Sequence, residues 1–182
     1  MNKQISENRS QVKWSYREKL GRLIWASVGP LFRYSPRLFW GWRVALLRIF
    51  GANIGKHVHI YPSVKIAIPW NVTIGDFSAI GDGVRLYSLG CIAIGASVTI
   101  SQQAHLCAGS HDYSCPTMPL LKLPISIGDN SWLCADSYIG PSVTIGMGVV
   151  VGARAVVVRS LQDNVIAVGN PARVVNVGKP GG

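Results

Sequence analysis

Charge is scarce in this chain, and acid is the scarcer sign. Of 182 residues 14% are charged, with 8 Asp+Glu against 18 Lys+Arg. So little charge beside 48% hydrophobic residues excludes a disordered chain and a coiled coil, both of which are charge-rich. Long hydrophobic runs are also missing. The longest charge-free stretch, Leu86 to His111, is full of Gly, Ser, Thr, Gln and His. The apolar run from Leu23 to Phe32 is about half of the roughly 20 residues that a spanning helix needs. The four cysteines (Cys91, Cys107, Cys115, Cys134) form no CxxC pair, and the N-terminus shows no secretory signal. They read as reduced thiols of a cytoplasmic protein.

The charge that exists is unevenly placed. Residues 1–50 hold ten Lys/Arg and two Glu, a net +8; residues 51–182 hold eight Lys/Arg and six Asp, a net +2. A nucleic-acid-binding body is therefore disfavoured. The length suits one domain with an appendage. What composition leaves unexplained is 20 Gly in so apolar a chain, and a repeat accounts for them.

Aliphatic residues recur at every sixth position, often followed by Gly. The runs are Ile54, Ile60, Ile66; then Ile68, Ile74, Ile80, Leu86; then Ile94, Ile100, Leu106; then Ile127, Leu133, Ile139, Ile145, Val151, Val157. Four residues after each aliphatic stands something small or β-branched: Val58, Val64, Ser78, Val84, Val98, Ala104, Ser110, Ser131, Ser137, Val143, Val149, Ala155. Neither a helical period of 3.6 nor strict alternation yields this pattern. It predicts a solenoid of short strands, three to a coil of 18 residues, with the recurrent Gly easing each corner. Coils stack about 4.8 Å apart, so about seven would make a prism ~35 Å tall. Its expected extent is 53–175, with a flexible tail at 176–182.

Residues 1–52 read as a basic, Trp-rich helical segment. Leu20, Leu23, Ile24, Ser27 and Leu31 follow helical spacing until Pro30 interrupts, and Leu38, Trp42, Ala45, Leu46 and Ile49 do so again before Gly51. Arg17, Arg22, Arg33, Arg37, Arg43 and Arg48 surround them. Two roles stand side by side: capping the open end of the solenoid, and peripheral contact with an anionic membrane through arginines and tryptophans. On the second, the segment governs location rather than chemistry.

Between Leu106 and Ile127 the phase fails. Pro116, Pro119 and Pro124 exclude a regular strand there, so an extended loop at about 112–124 leaves the prism. Sites gather on loops held by rigid scaffolds. His111 stands at the root of that loop with its side chain outward, and an imidazole titrates near working pH.

The run from Leu106 through Gly109-Ser110-His111-Asp112-Tyr113, the segment Pro124 to Leu133, Val151-Gly152-Ala153-Arg154 and Gly169-Asn170-Pro171-Ala172-Arg173-Val174 together resemble the hexapeptide-repeat sugar O-acetyltransferases. With Phe32 to Phe50, Pro69-Trp70 and Leu86-Tyr87-Ser88-Leu89-Gly90, the resemblance is to the colanic acid biosynthesis acetyltransferase family and covers nearly the whole chain. It implies a left-handed parallel β-helix, against the general right-handed preference of parallel crossovers. It further implies acetyl-CoA as co-substrate with no metal, a sugar or lipid-linked oligosaccharide acceptor in exopolysaccharide or capsule biosynthesis, and a homotrimer. The implied base is His111, oriented by a backbone carbonyl or by Asp112 or Asp136, with Tyr87 and Ser88 near the acceptor. Trp132, Ala135 and Ala153 would line the pantetheine arm, and Arg159 and Arg173 would meet the nucleotide phosphates. Cys91, Cys107 and Cys134 read as packing residues.

Three other readings use the same scaffold. A metal-dependent lyase of the γ-carbonic-anhydrase type needs three His ligands, and the six-residue separation of His105 and His111 departs from that family's five. An acetyltransferase for an antibiotic, an amino sugar or serine differs only in the acceptor. A non-catalytic, membrane-associated trimeric scaffold would have no use for His111.

Overall fold

The computed structural model describes residue 8 and residues 13–177. From residue 53 the chain winds into a left-handed parallel β-helix of about six turns. Asn53–Ile54, Val72–Ile74, Ile92–Ile94, Ile125–Ile127 and Thr144–Ile145 stack on one face. His59–Ile60, Ala79–Ile80, Thr99–Ile100, Trp132–Leu133, Val150–Val151 and Val165–Val168 stack on the second, closed by antiparallel Arg173–Val177. Lys65–Ile66, Arg85–Tyr87, His105–Cys107, Tyr138–Ile139 and Val156–Val157 make the third.

The six-residue aliphatics form the inner wall. Ile54, Ile74, Ile94, Ile127 and Ile145 are register partners turn upon turn, and all are buried. Of the twelve small or β-branched positions, eleven are buried; the exception, Ser110, has left the prism for a hairpin. The turn count is lower than the seven expected because turns differ in length. Ile54 to Ile74 and Ile74 to Ile94 take 20 residues each, and Ile94 to Ile127, which carries the loop, takes 33.

The glycines serve a different purpose from the one expected. Those following the wall isoleucines have no positive φ; that conformation falls two residues later, on His57, Phe77, Ser97 and Asn130. Gly55 and Gly95 are needed because a Cβ would lie 2.2 Å from Oδ1 of Asp76 or Asp129 on the next turn. Those carboxylates accept the backbone N–H of Lys56 (2.7 Å) and Ala96 (2.8 Å), and Asp163 does the same for Met147 (2.8 Å). Close approach of turns, not freedom at the corner, selects Gly. The closing strand also carries the ordered solenoid to Val177, two residues beyond the expected boundary; residues 178–182 lie outside the described residues.

Helix α1 (Tyr16–Arg33) begins at a capping box. Ser15 Oγ accepts from Glu18 N (3.2 Å), and Glu18 returns the bond to Ser15 N (2.8 Å), a motif worth about 1 kcal/mol. Pro30 does not interrupt it: the helix runs on to Arg33 with Pro30 inside. The residues at helical spacing are not the ones that pack inward. Leu20, Leu23, Ile24 and Leu31 are exposed, while Trp25 and Phe32 are buried. The aromatic stripe wins because Trp25 packs edge-on against Phe32 and Phe50 and its indole N–H finds the Ile66 carbonyl at 2.9 Å. Helix α2 (Trp40–Ile49) buries Val44, Leu46 and Leu47 against the first turn, leaving Leu38 and Ile49 outside. The two helices thus cover the open end of the stack.

Arg43, counted above among the surface cations, has 0% of its surface exposed. Its guanidinium donates to the carbonyls of Ile60 (2.6 Å), Pro36 (2.8 Å) and Arg37 (2.5 Å) and to Ser35 Oγ (2.8 Å), and burial pushes its pKa down. One side chain therefore ties α2, the interhelical turn and the first coil together. Replacing Arg43 with Met strands three carbonyls, and should lower unfolding free energy by about 3 kcal/mol in urea denaturation. Arg43→Lys should recover little, because an ammonium cannot span the same fork.

Candidate active site

At the end of the third strand of the third face the chain leaves the prism. Ser110–His111 pairs antiparallel with Leu120–Leu121, and Asp112 N donates to Pro119 O (3.0 Å). The expected extended loop is thus a hairpin whose second pair, His111 with Leu120, follows Ser110 with Leu121. Its Nδ1 lies 2.7 Å from the Met118 carbonyl. A carbonyl only accepts, so neutral His111 carries its proton on Nδ1 and leaves Nε2 as a bare acceptor. Among the described residues Nε2 has no partner.

A backbone carbonyl thus fills the orienting place. Asp112 instead accepts from Ser114 N (3.0 Å) and Ser114 Oγ (2.6 Å), which holds its carboxyl below the usual carboxylate range. Asp136 sits at a prism corner beside Arg154 (3.8 Å).

Tyr87 faces outward, opposite Cys107 in the adjacent turn. A Cβ on Gly109 would come within 3.1 Å of its ring, so the ring lies against the backbone two residues before His111. Ser88 is a correction. With Tyr87 outward its neighbour points in: Ser88 is fully buried, accepting from Ile68 N (2.9 Å) and donating to Ile68 O (2.8 Å). It can touch no acceptor. The cysteines are corrected as well. Cys91 is exposed and Cys107 and Cys134 half-buried, since residues flanking the inward wall alternate outward. Tyr138, beside Cys107, is pushed up to about 12 by burial and by that thiol.

The remaining residues lie elsewhere on the prism. Trp132 is on the second face, its indole N–H donating to Ser101 Oγ (2.9 Å). Ala135 and Ala153 occupy the same corner of successive turns, between the second and third faces, joined by Arg154 N to Ala135 O (2.9 Å). Arg159 follows the last strand of the third face, and Arg173 opens the closing strand. Both are exposed, and neither forms an ion pair among the described residues. His111 leaves the third face at the opposite edge from Ala135. One chain does not bring the two sets together.

Contacts from the N-terminal segment to the hairpin have no sequence signal beyond the Ser15–Glu18 capping box. Lys122, next to the returning strand, lies 3.7 Å from the Trp14 ring centre and 3.6 Å from Glu18. The Asn8 side-chain amide donates to the Thr117 and Met118 carbonyls. The segment therefore touches the same Met118 carbonyl that His111 contacts. Among the described residues no three His, Cys, Asp or Glu converge as metal ligands.

Residues 124–159 match the family described as bacterial transferase hexapeptide (six repeats). The chain is 50% identical over 154 residues to WcaF of Escherichia coli K12, named as a colanic acid biosynthesis acetyltransferase, covering 85% of each chain. A hexapeptide-repeat acetyltransferase of Vibrio cholerae, VCA0836, superposes with a TM-score of 0.83 at 26% identity over 90% of this chain and 93% of that one. A galactoside acetyltransferase in complex with coenzyme A has the same fold, with a TM-score of 0.82 at 24% identity, covering 96% and 88%.

If Lys122 clasps the hairpin to α1, Lys122→Ala should loosen it by about 1 kcal/mol. Amide exchange at Asp112, which donates across the hairpin, would then quicken roughly fivefold. Lys122→Arg should preserve protection, and unchanged exchange in the alanine variant would remove the clasp.

Proposed function

The chain belongs to the hexapeptide-repeat acetyltransferases, and from that membership we propose that it moves an acetyl group from acetyl-CoA to a sugar hydroxyl, with His111 as general base. The observation that carries this is the Nδ1 contact to Met118 O. Nε2 takes the proton of the acceptor hydroxyl while the oxygen attacks the thioester carbonyl. Collapse of the adduct expels the thiolate of coenzyme A, which recovers the proton from the imidazolium. An acyl-enzyme has little support: among the described residues no serine or cysteine hydrogen-bonds to the His111 ring, whose one partner is the Met118 carbonyl. The name of WcaF connects that protein to a polysaccharide, which supports a sugar acceptor in exopolysaccharide synthesis.

Separation of His111 from Trp132, Ala135 and Ala153 on one prism supports a site completed between copies, hence a homotrimer. The small side chains of Ala135 and Ala153 leave a shallow strip that suits a pantetheine arm, and Arg159 and Arg173 suit its phosphates. His111→Ala should lower kcat by roughly 10²–10⁴ with acetyl-CoA affinity little changed, measured by thiol release and titration calorimetry. Near-native turnover would take His111 out of the base role.

Peripheral membrane contact is a second element of the proposal, and its surface differs from the one expected. Trp25 is buried and Trp40 stacks on His59, which leaves an apolar ridge of Leu31, Leu38, Phe39 and Trp42 exposed beside Arg33 and Arg37. No helix among the described residues is long and apolar enough to cross a membrane; this ridge would lie in the interface. Sedimentation with phosphatidylglycerol vesicles should exceed that with phosphatidylcholine, and Leu31→Asp with Phe39→Asp should reduce it severalfold. Equal partitioning onto both lipids defeats the membrane role.

A further inference from the structure

The third face stacks basic side chains on one another. Lys65 and Arg85 are register partners in adjacent turns, and Arg85 pairs in turn with His105. Adjacent strands lie about 4.8 Å apart, so three basic side chains share one outward column. Like charges directly paired across strands are destabilising. Arg33, in the last turn of α1, joins Lys65 and Arg85 as a third full cation lining a groove of about 450 Å³ that also includes Tyr87 and His105.

Nothing in the described chain neutralises this column. No carboxylate lines the groove. All seven described carboxylates are engaged elsewhere: three at corner amides, Asp82 with Ser63, Asp112 with Ser114, Asp136 with Arg154 and Glu18 at the α1 cap. Burial, and then the charge of Arg85, push the His105 pKa down, in keeping with a locally positive potential. The groove also has a direction. Tyr87 lines it, and its ring lies against Gly109, two residues before His111. An anion seated among Arg33, Lys65 and Arg85 would therefore belong to a molecule whose remainder points at the base.

We propose that this groove is a phosphate site for the acetyl acceptor, and that the acceptor is a sugar phosphate or sugar diphosphate. Arg33, Lys65 and Arg85 hold the phosphate oxygens through charge-assisted hydrogen bonds, and Tyr87 meets the sugar on its way to His111. The inference rests on the acetyl-transfer reading, and a nucleotide or a lipid carrier would present the same diphosphate.

The test uses the full chain and a Lys65→Gln, Arg85→Gln double variant, both positions being exposed. Inorganic pyrophosphate is titrated calorimetrically at two salt concentrations, with and without saturating acetyl-CoA. Acetyl transfer is then compared across methyl hexosides, hexose 1-phosphates, UDP-hexoses and farnesyl-diphosphate-linked hexoses. The expected result is salt-sensitive pyrophosphate binding that persists beside acetyl-CoA and weakens tenfold or more in the variant. The kcat/KM preference for phosphorylated over neutral sugars should fall by a similar factor, and whichever diphosphate carrier is preferred names the source. Displacement of acetyl-CoA by pyrophosphate overturns the proposal in favour of a coenzyme site. Equal use of neutral and phosphorylated sugars overturns it while leaving acetyl transfer intact. A changed oligomeric mass in the variant overturns it in favour of a subunit contact. If pyrophosphate binds and is lost in the variant but no sugar is acetylated, the anion site stands and the acetyl-transfer reading fails.

Discussion

Stacking of one coil on the next, with an aliphatic side chain at every sixth residue over its register partner, is the constraint from which the rest of this structure follows. Each strand is only two to four residues long within the parallel stack, too short to persist alone. It gains its backbone partners and its apolar contacts only from the turns above and below. Because Ile54, Ile74, Ile94, Ile127 and Ile145 must align, the corners must bring backbones close. That closeness makes Gly55 and Gly95 obligatory, and it puts the Asp76 and Asp129 carboxylates on amides of the preceding turn. It also forces His57, Phe77, Ser97 and Asn130 into the left-handed region, at about 1 kcal/mol or more each.

The same constraint explains where the chain can depart from the repeat. An insertion within a strand would flip its side chains to the wrong face, whereas an insertion at a corner leaves the alignment intact. Leu106 still pairs with Leu86, and Ile125 with Ile92, although the hairpin intervenes. His111, in the second pair of that hairpin, thus stays close to the rigid prism, and its acceptor on Met118 belongs to the same hairpin. Helix α1 joins two functions in one element. Its aromatic stripe closes the first turn through Trp25, and its N-terminal end meets the hairpin through Glu18 and Lys122. A change to this segment acts on the cap of the prism and on the hairpin that carries His111 together.

Legibility varied with the range of the interactions involved. The inner wall was readable because its period repeats down the chain, and the interruption at His111 was readable because it breaks that period. The face of α1 was not. Two apolar stripes compete there, one aliphatic through Leu20, Leu23 and Leu31, one aromatic through Trp25 and Phe32. The choice depends on the Ile66 carbonyl, 41 residues away from Trp25. Arg43 reads as one more surface cation until the carbonyls of Ile60, Pro36 and Arg37 surround it. Ser88 illustrates the finest scale: beside an outward Tyr87, a single step along the strand decides between solvent and the Ile68 backbone.

By itself the sequence determined the architecture, the position of the loop and the identity of the residue at its root, because each is a property of spacing along one chain. Only the tertiary structure decided which helical stripe is buried, that the corner glycines answer to the next turn, and that a carbonyl rather than a carboxylate holds His111. It also decided that Lys65, Arg85 and His105 form one column. These are meetings of residues 7 to 41 positions apart, arranged by stacking, and the energy of such a contact has no counterpart in the order of residues until the coil brings its two ends together.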